Sequence, residues 1–248
     1  MTKICILIPT YNNDKTLSGV IDDVLRFTSA VIVVNDGSTD RTAQVLETYG
    51  ERIMVVSYSK NRGKGHALAR GFGYALSKGF DHAITLDADG QHFAEDIPAF
   101  VRTSERHPDA IITGSRNLLQ DNMPGKNTFA NRFSNFWFTV QTARRLPDTQ
   151  TGYRLYPLSR IGRMRFFTSR YETELEILVR STWRGIPVIP IPVKVYYAPE
   201  GERVSHFRPV ADFVRISLLN AAFTLLAAVY GYPSMLFYVN RKQIYGRP

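Results

Sequence analysis

Two carboxylates one residue apart, Asp87 and Asp89, followed by the side-chain amide of Gln91, form the stretch of this sequence best suited to chemistry. Their oxygens are hard donors, which favour Mg2+ or Mn2+ over zinc. A cation held by so few protein oxygens keeps positions open for substrate phosphates. Three more polar clusters precede them: Pro9-Thr10-Tyr11-Asn12, Asn35-Asp36-Gly37-Ser38-Thr39-Asp40 and Asn61-Arg62-Gly63-Lys64-Gly65. An acid such as Asp36 can accept hydrogen bonds from a base or a ribose, while Ser38 or Thr39 can equally start a helix. Gly63 and Gly65 permit close backbone approach, and Arg62 and Lys64 suit phosphate. The cluster is not a Walker loop, because Tyr58 stands where its first glycine would be and His66 follows Gly65. No GxGxxG opens the first helix, so a dinucleotide is not expected.

These clusters need a scaffold, and the first half of the chain supplies an alternating one. Apolar runs at Ile4–Ile8, Ala30–Val34, Ile53–Ser57, Ala83–Leu86 and Ala110–Thr113 read as buried strands. Between them lie helices from Lys15 to about Phe27, capped by Asp14, from Ser38 or Thr39 to about Tyr49, from Gly65 to about Lys78, and near Glu95–Arg106. Strands alternating with helices predict βαβ units and a parallel sheet. Each polar cluster then follows a strand, where open α/β sheets bind ligands. The second half is less regular. Gln120–Asn127 reads as a polar loop, Phe129–Arg145 as an aromatic-rich helix, and Asp148–Arg154 as a turn-rich connector. Tyr171–Trp183 reads as a helix ended by Gly185, and Val188–Tyr197, with its prolines, as an edge strand.

The chain has 248 residues, 44% hydrophobic and 21% charged, which excludes a disordered or fibrous protein. Its formal net charge of +9 favours anionic partners. The single cysteine, Cys5, lies in an apolar run and reads as core, and the composition suits a reducing compartment. Met1-Thr2-Lys3 leads straight into a strand, so no signal peptide is expected. From Ile216 to Asn240 no residue is charged. Gly231-Tyr232-Pro233 is expected to break that run, and basic residues flank both ends. An in-plane or re-entrant membrane helix fits this pattern, and a core helix is the alternative. The reading is one domain over residues 1–208, divided near residue 115, with an apolar helical appendage over 209–248.

Together these motifs resemble the family 2 glycosyltransferases of the GT-A fold, and within them the polyprenyl-phosphate sugar synthases. Gly114-Ser115-Arg116, Arg132 and Asp148-Thr149-Gln150-Thr151-Gly152-Tyr153-Arg154 carry the finer resemblance. Ser205-His206-Phe207-Arg208 stands where those enzymes have a Ser-Lys-Leu-like loop, with the lysine replaced. The resemblance implies a mostly parallel central sheet flanked by helices. It implies that Pro9, Tyr11, Asp36, Lys64 and Asp87 bind the donor, with Asp36 at the base and Asp87 on the ribose side. Asp89 and Gln91 would face Mg2+ or Mn2+, and Arg116 and Arg132 the acceptor phosphate. The implied reaction moves a hexose, with inversion, from a nucleotide diphosphate sugar to a polyprenyl phosphate or other lipid-linked acceptor. It would take place on the cytoplasmic side of a membrane, with no nucleic-acid partner. Transfer to a sugar or lipid hydroxyl is the alternative, with Glu174 as base. Glu172, Glu174 and Glu176 share one helix, and a solvated face is the other reading of them.

Overall fold

The computed structural model describes residues 2–116, 125–162, 164–196 and 209–245. Among them, strands β1 (Ile4–Thr10), β2 (Val31–Asp36), β3 (Met54–Tyr58), β4 (His82–Thr85), β5 (Ile111–Arg116), β6 (Arg154–Pro157) and β7 (Val188–Val193) form one sheet. Its order is β3-β2-β1-β4-β6-β5-β7. The strands run parallel except β6, which pairs antiparallel with β4 and β5. β1 has β2 on one side and β4 on the other, so the chain order reverses there and a crevice opens at the carboxyl ends of the strands. The continuous apolar run of β1 follows from burial on both faces. Cys5 and Leu7 belong to one core with Leu68, Phe72 and Leu178, while Ile6 and Ile8 belong to the other with Ile21, Val24 and Phe100.

On the face of Ile6 and Ile8 lie α1 (Leu17–Leu25) and α4 (Ile97–Arg106). Leu17, Val20, Ile21 and Val24 fall at helical spacing and are all buried. A short α2 (Thr42–Glu47) follows β2. The opposite face carries α3 (Lys64–Ser77), α6 (Leu158–Ile161) and α7 (Glu172–Trp183), with α5 (Gly125–Thr142) packed beside α7. Gly71 of α3 is seated on β1, where an added Cβ would come within 2.4 Å of Leu7.

Several sequence expectations need correction. Asp14 does not cap α1; its carboxylate accepts from Arg41 at 3.3 Å. The start of α2 falls later than Ser38 or Thr39, because Asp40 takes the Thr42 amide at 2.9 Å. The connector at 148–154 leads into β6, a four-residue strand too short to announce itself by pattern. Gly125–Asn127 begin α5 rather than ending a loop, and the rest of that expected loop lies outside the described residues.

The apolar tail is not broken at Gly231-Tyr232-Pro233. α8 (Pro209–Leu226) passes through a π-helical turn at Ala227–Gly231 into α9 (Tyr232–Tyr245). The wider turn precedes Pro233, whose ring would crowd the carbonyl four residues back in a regular helix. Phe223, Ala227 and Gly231 lie on the inner side, and a Cβ on Gly231 would come within 2.5 Å of the Trp183 indole. The outer side exposes Leu218, Leu225, Val229 and Leu236. Val214–Tyr238 is long and apolar enough to cross a membrane, with mean hydropathy 1.5.

Candidate active site

The carboxyl ends of β1, β2 and β4, with the start of α3 and the residues before α7, surround a cleft of about 820 Å3. That volume lies within the range of small-molecule sites. Pro9 and Tyr11 line it after β1, Asp36 at the end of β2, and Asp87 and Asp89 after β4. Lys64 enters from the first turn of α3. The four polar clusters therefore meet at one place, as expected from their positions after successive strands.

Asp36 is buried and accepts the amides of Arg62 at 2.8 Å and Gly63 at 2.7 Å. It thus shapes the loop before α3 as well as the cleft wall. Gly63 has φ +98°, and an added Cβ would meet the Ser169 carbonyl at 2.6 Å, so only glycine fits there. The turn carrying Asp87 and Asp89 is tied to α1 by the Thr16 hydroxyl, which donates to the Ala88 carbonyl at 2.6 Å. Gln91 enters through its backbone: its amide donates to Asp89 at 3.0 Å, and its carbonyl accepts from Tyr196.

At the centre, the Lys64 ammonium lies 2.7 Å from Asp87 and 3.1 Å from Glu174. Burial opposes the charge on Lys64, but these two carboxylates outweigh it and hold its pKa above the ordinary value. Burial likewise acts to raise Asp87, and Lys64 overrides it, so the Asp87 pKa is lowered. Asp89 has no such partner. Burial first, and the neighbouring Asp87 second, push its pKa up to about 6. His92 is held neutral, chiefly by burial, with its pKa lowered to about 4.

Gly152 is what lets the ion pair close. A Cβ there would lie 2.5 Å from an Asp87 oxygen and 2.8 Å from Lys64 Nζ. Arg154, fully buried, donates to the Glu174 carbonyl at 2.7 Å and the Thr149 carbonyl at 2.9 Å, joining the connector to α7. Sequence reasoning placed neither residue in contact with these groups. Nor did it single out Arg170 and Tyr171, which line the cleft, because nothing in their local pattern links them to strands 85 to 160 residues earlier.

Of the residues expected to act on the acceptor, Arg116 is paired with buried Asp148 through Nε at 2.6 Å and Nη2 at 3.0 Å. Asn131 also donates to Asp148, and its neighbour Arg132 is exposed on α5. The three glutamates are not a solvated face: Glu172, Glu174 and Glu176 are all buried. Glu176 accepts the Phe167 and Thr168 amides and pairs with Arg180, a structural role. Glu174 Oε1 and Glu172 Oε2 are buried without a hydrogen-bond partner. The 205–208 stretch lies outside the described residues.

Asp89 and its neighbour Asp87 offer hard oxygen donors of the kind a divalent cation takes. Asp87 and Glu174 flank the Lys64 ammonium, and Asp89, next to Asp87, is the acid whose charge is least compensated. Among the described residues no group of three His, Cys, Asp or Glu side chains could hold a metal. The protein ligands would be two carboxylates, with phosphates completing the set, as Mg2+ commonly binds.

Comparison with known proteins bears on the family and the fold. The dolichyl-phosphate beta-glucosyltransferase of Dictyostelium discoideum is 26% identical over 86% of this chain and 73% of that protein. The UDP-N-acetylglucosamine–dolichyl-phosphate N-acetylglucosaminyltransferase of Methanococcus voltae is 26% identical over 78% of this chain and 86% of that protein. The fold matches the glucosyl-3-phosphoglycerate synthase of Mycobacterium tuberculosis, solved with Mn2+, UDP and phosphoglyceric acid. Its TM-score is 0.65 at 19% identity, over 91% of this chain and 78% of that one. The family model of glycosyl transferase family 2 matches residues 5–161, from the first strand to beyond β6. With that match spanning more than half of the chain and the cleft lying where its strands converge, the protein belongs to glycosyl transferase family 2 and is a glycosyltransferase.

Proposed function

We propose that this glycosyltransferase moves a hexose, with inversion, from a nucleotide diphosphate sugar to a polyprenyl phosphate at the cytoplasmic face of a membrane. The observation that carries the proposal is the pairing of Glu174 with Lys64 at 3.1 Å, which commits the candidate base to an ammonium rather than leaving it free. An acceptor phosphate needs no base, since its second pKa is ~6 and it is ionised near neutral pH. The names of the two relatives above, both acting on dolichyl phosphate, support the same acceptor class.

In this reading residues 1–115 hold the donor, 116–208 receive the acceptor and 209–248 meet the membrane. The cleft walls at Pro9, Tyr11 and Asp36 take the nucleoside, and Lys64 and Asp87 fix the ribose and diphosphate end. Asp89, with Asp87 and Gln91 beside it, would hold Mg2+ or Mn2+. Such a cation supplies charge neutralisation to the leaving diphosphate. Arg132, together with Arg116, orients the acceptor phosphate. An oxygen of that phosphate bonds to the anomeric carbon, the bond from that carbon to the diphosphate breaks, and the nucleoside diphosphate leaves with the electron pair.

The second reading, transfer to a hydroxyl, is favoured by Glu174 Oε1, a buried oxygen without a partner that could take a proton. Transfer of label from a panel of GDP- and UDP-sugars into butanol-extractable lipid separates the two. Arg132→Ala should weaken acceptor use about ten- to a hundredfold, the value of one charge-assisted bond to phosphate, and spare donor binding. Glu174→Gln should have the smaller effect. A dead Glu174→Gln beside a nearly normal Arg132→Ala would establish the hydroxyl acceptor instead.

A further inference from the structure

A second cavity, of about 640 Å3, lies at the opposite edge of the sheet from the active-site cleft. It opens where β7 begins, between the carboxyl ends of α5 and α7 and one side of α9. Leu146, Ile186 and Met235 contribute to an apolar lining. At its rim α5 ends through Ala143, whose φ of +52° places a non-glycine residue in the left-handed region. Such a conformation costs about 1–2 kcal/mol. The next two residues are Arg144 and Arg145, both exposed and both lining the cavity, and no acidic side chain lines it among the described residues. On α9 the residue after Met235 is Leu236, which is 64% exposed and continues the outer stripe of Leu218, Leu225 and Val229.

We infer that this cavity binds one anionic phospholipid of the membrane, its phosphate on Arg144 and Arg145 and its acyl chain in the apolar interior. The inference rests on the membrane reading of the α8–α9 stripe. Charge complementarity and continuity with that stripe select the occupant. A soluble anion would leave the apolar interior empty, and a neutral lipid would leave two adjacent guanidinium groups without a counter-charge. The site fixes how the enzyme sits on the bilayer, because it anchors one end of α5 while Arg132 lies toward the other.

The test uses the full chain and vesicles of phosphatidylcholine, pure or doped with phosphatidylglycerol, read by co-sedimentation. Each basic residue at an anionic surface is worth about fivefold in affinity, so Arg144→Gln with Arg145→Gln should weaken binding to the doped vesicles about 30-fold. The pair should leave binding to pure phosphatidylcholine unchanged. Arg102→Gln with Arg106→Gln, on α4 across the sheet, controls for diffuse charge and should bind as wild type. Dioctanoyl phosphatidylglycerol should bind wild type one to one by calorimetry, and inorganic phosphate should not displace it. Equal losses in the two arginine pairs, or displacement by inorganic phosphate, would overturn the lipid site while leaving the membrane reading intact. Wild type that sediments with neither vesicle overturns both.

Discussion

Asp89→Asn should make the metal-free protein more stable while abolishing its transfer activity. Asp89 is forced to ionise in a buried place beside Asp87, and its pKa is raised from 3.8 to about 6. At ~1.4 kcal/mol per tenfold in proton affinity, this is a penalty of roughly 3 kcal/mol in the ionised state. The direction follows from proton binding. Between the ordinary carboxylate value and about 6 the folded protein holds more protons than the unfolded chain, so stability falls as pH rises through that window. Asparagine keeps the oxygen that accepts the Gln91 amide and removes the charge. A chain of this size gains about 2–4 °C in Tm per kcal/mol, so the variant should melt about 6–12 °C higher in chelator near pH 8. The advantage should shrink through that window and vanish only below the ordinary carboxylate value, near pH 3, where Asp89 is protonated in both states. Mn2+ should raise the Tm of the wild type and not that of the variant. Thermal melts across pH, with and without Mn2+, measure all of this. Equal melting of the two proteins at every pH would show that Asp89 ionises in the folded protein without penalty.

Gly152→Ala should disturb the donor site without unfolding the protein, since its Cβ would meet Asp87 and Lys64 at 2.5 and 2.8 Å. The loss of one charge-assisted contact predicts ~10- to 100-fold weaker nucleotide binding by calorimetry, and unchanged affinity would remove the Lys64–Asp87 pair from the donor site. Arg116→Ala should cost about 3–5 kcal/mol in urea denaturation, because it leaves the Asp148 charge buried. Burial acts to raise the Asp148 pKa, but Arg116 holds it low, so the wild-type advantage should fade as pH drops below the ordinary carboxylate range. A fully stable Arg116→Ala would free that arginine from a structural role.

The alternating half of the chain was legible because its signals are local. A strand buried on both faces must be a continuous apolar run, as at Ile4–Ile8, and a polar cluster after each such run must lie at one edge of a parallel sheet. Those rules alone brought Tyr11, Asp36, Lys64 and Asp87 to one cleft. The reversal of strand order at β1 and the antiparallel insertion of β6 needed the tertiary structure, because pairing partners such as Ile4 and His82 are separated by nearly eighty residues and β6 has only four. The same holds for Glu174. Its neighbours in sequence suggest a solvated helix face, and only packing against α3 shows it buried beside Lys64. Gly231-Tyr232-Pro233 misled for the converse reason: propensity predicts a break, whereas contact with Trp183 and a π turn carry the helix through. Which side chains stand at the strand ends is settled locally, because a strand's period and burial are written in its own residues. The tertiary structure alone decided which of those charges neutralise one another, since an ion pair depends on distances between segments that the chain order does not contain.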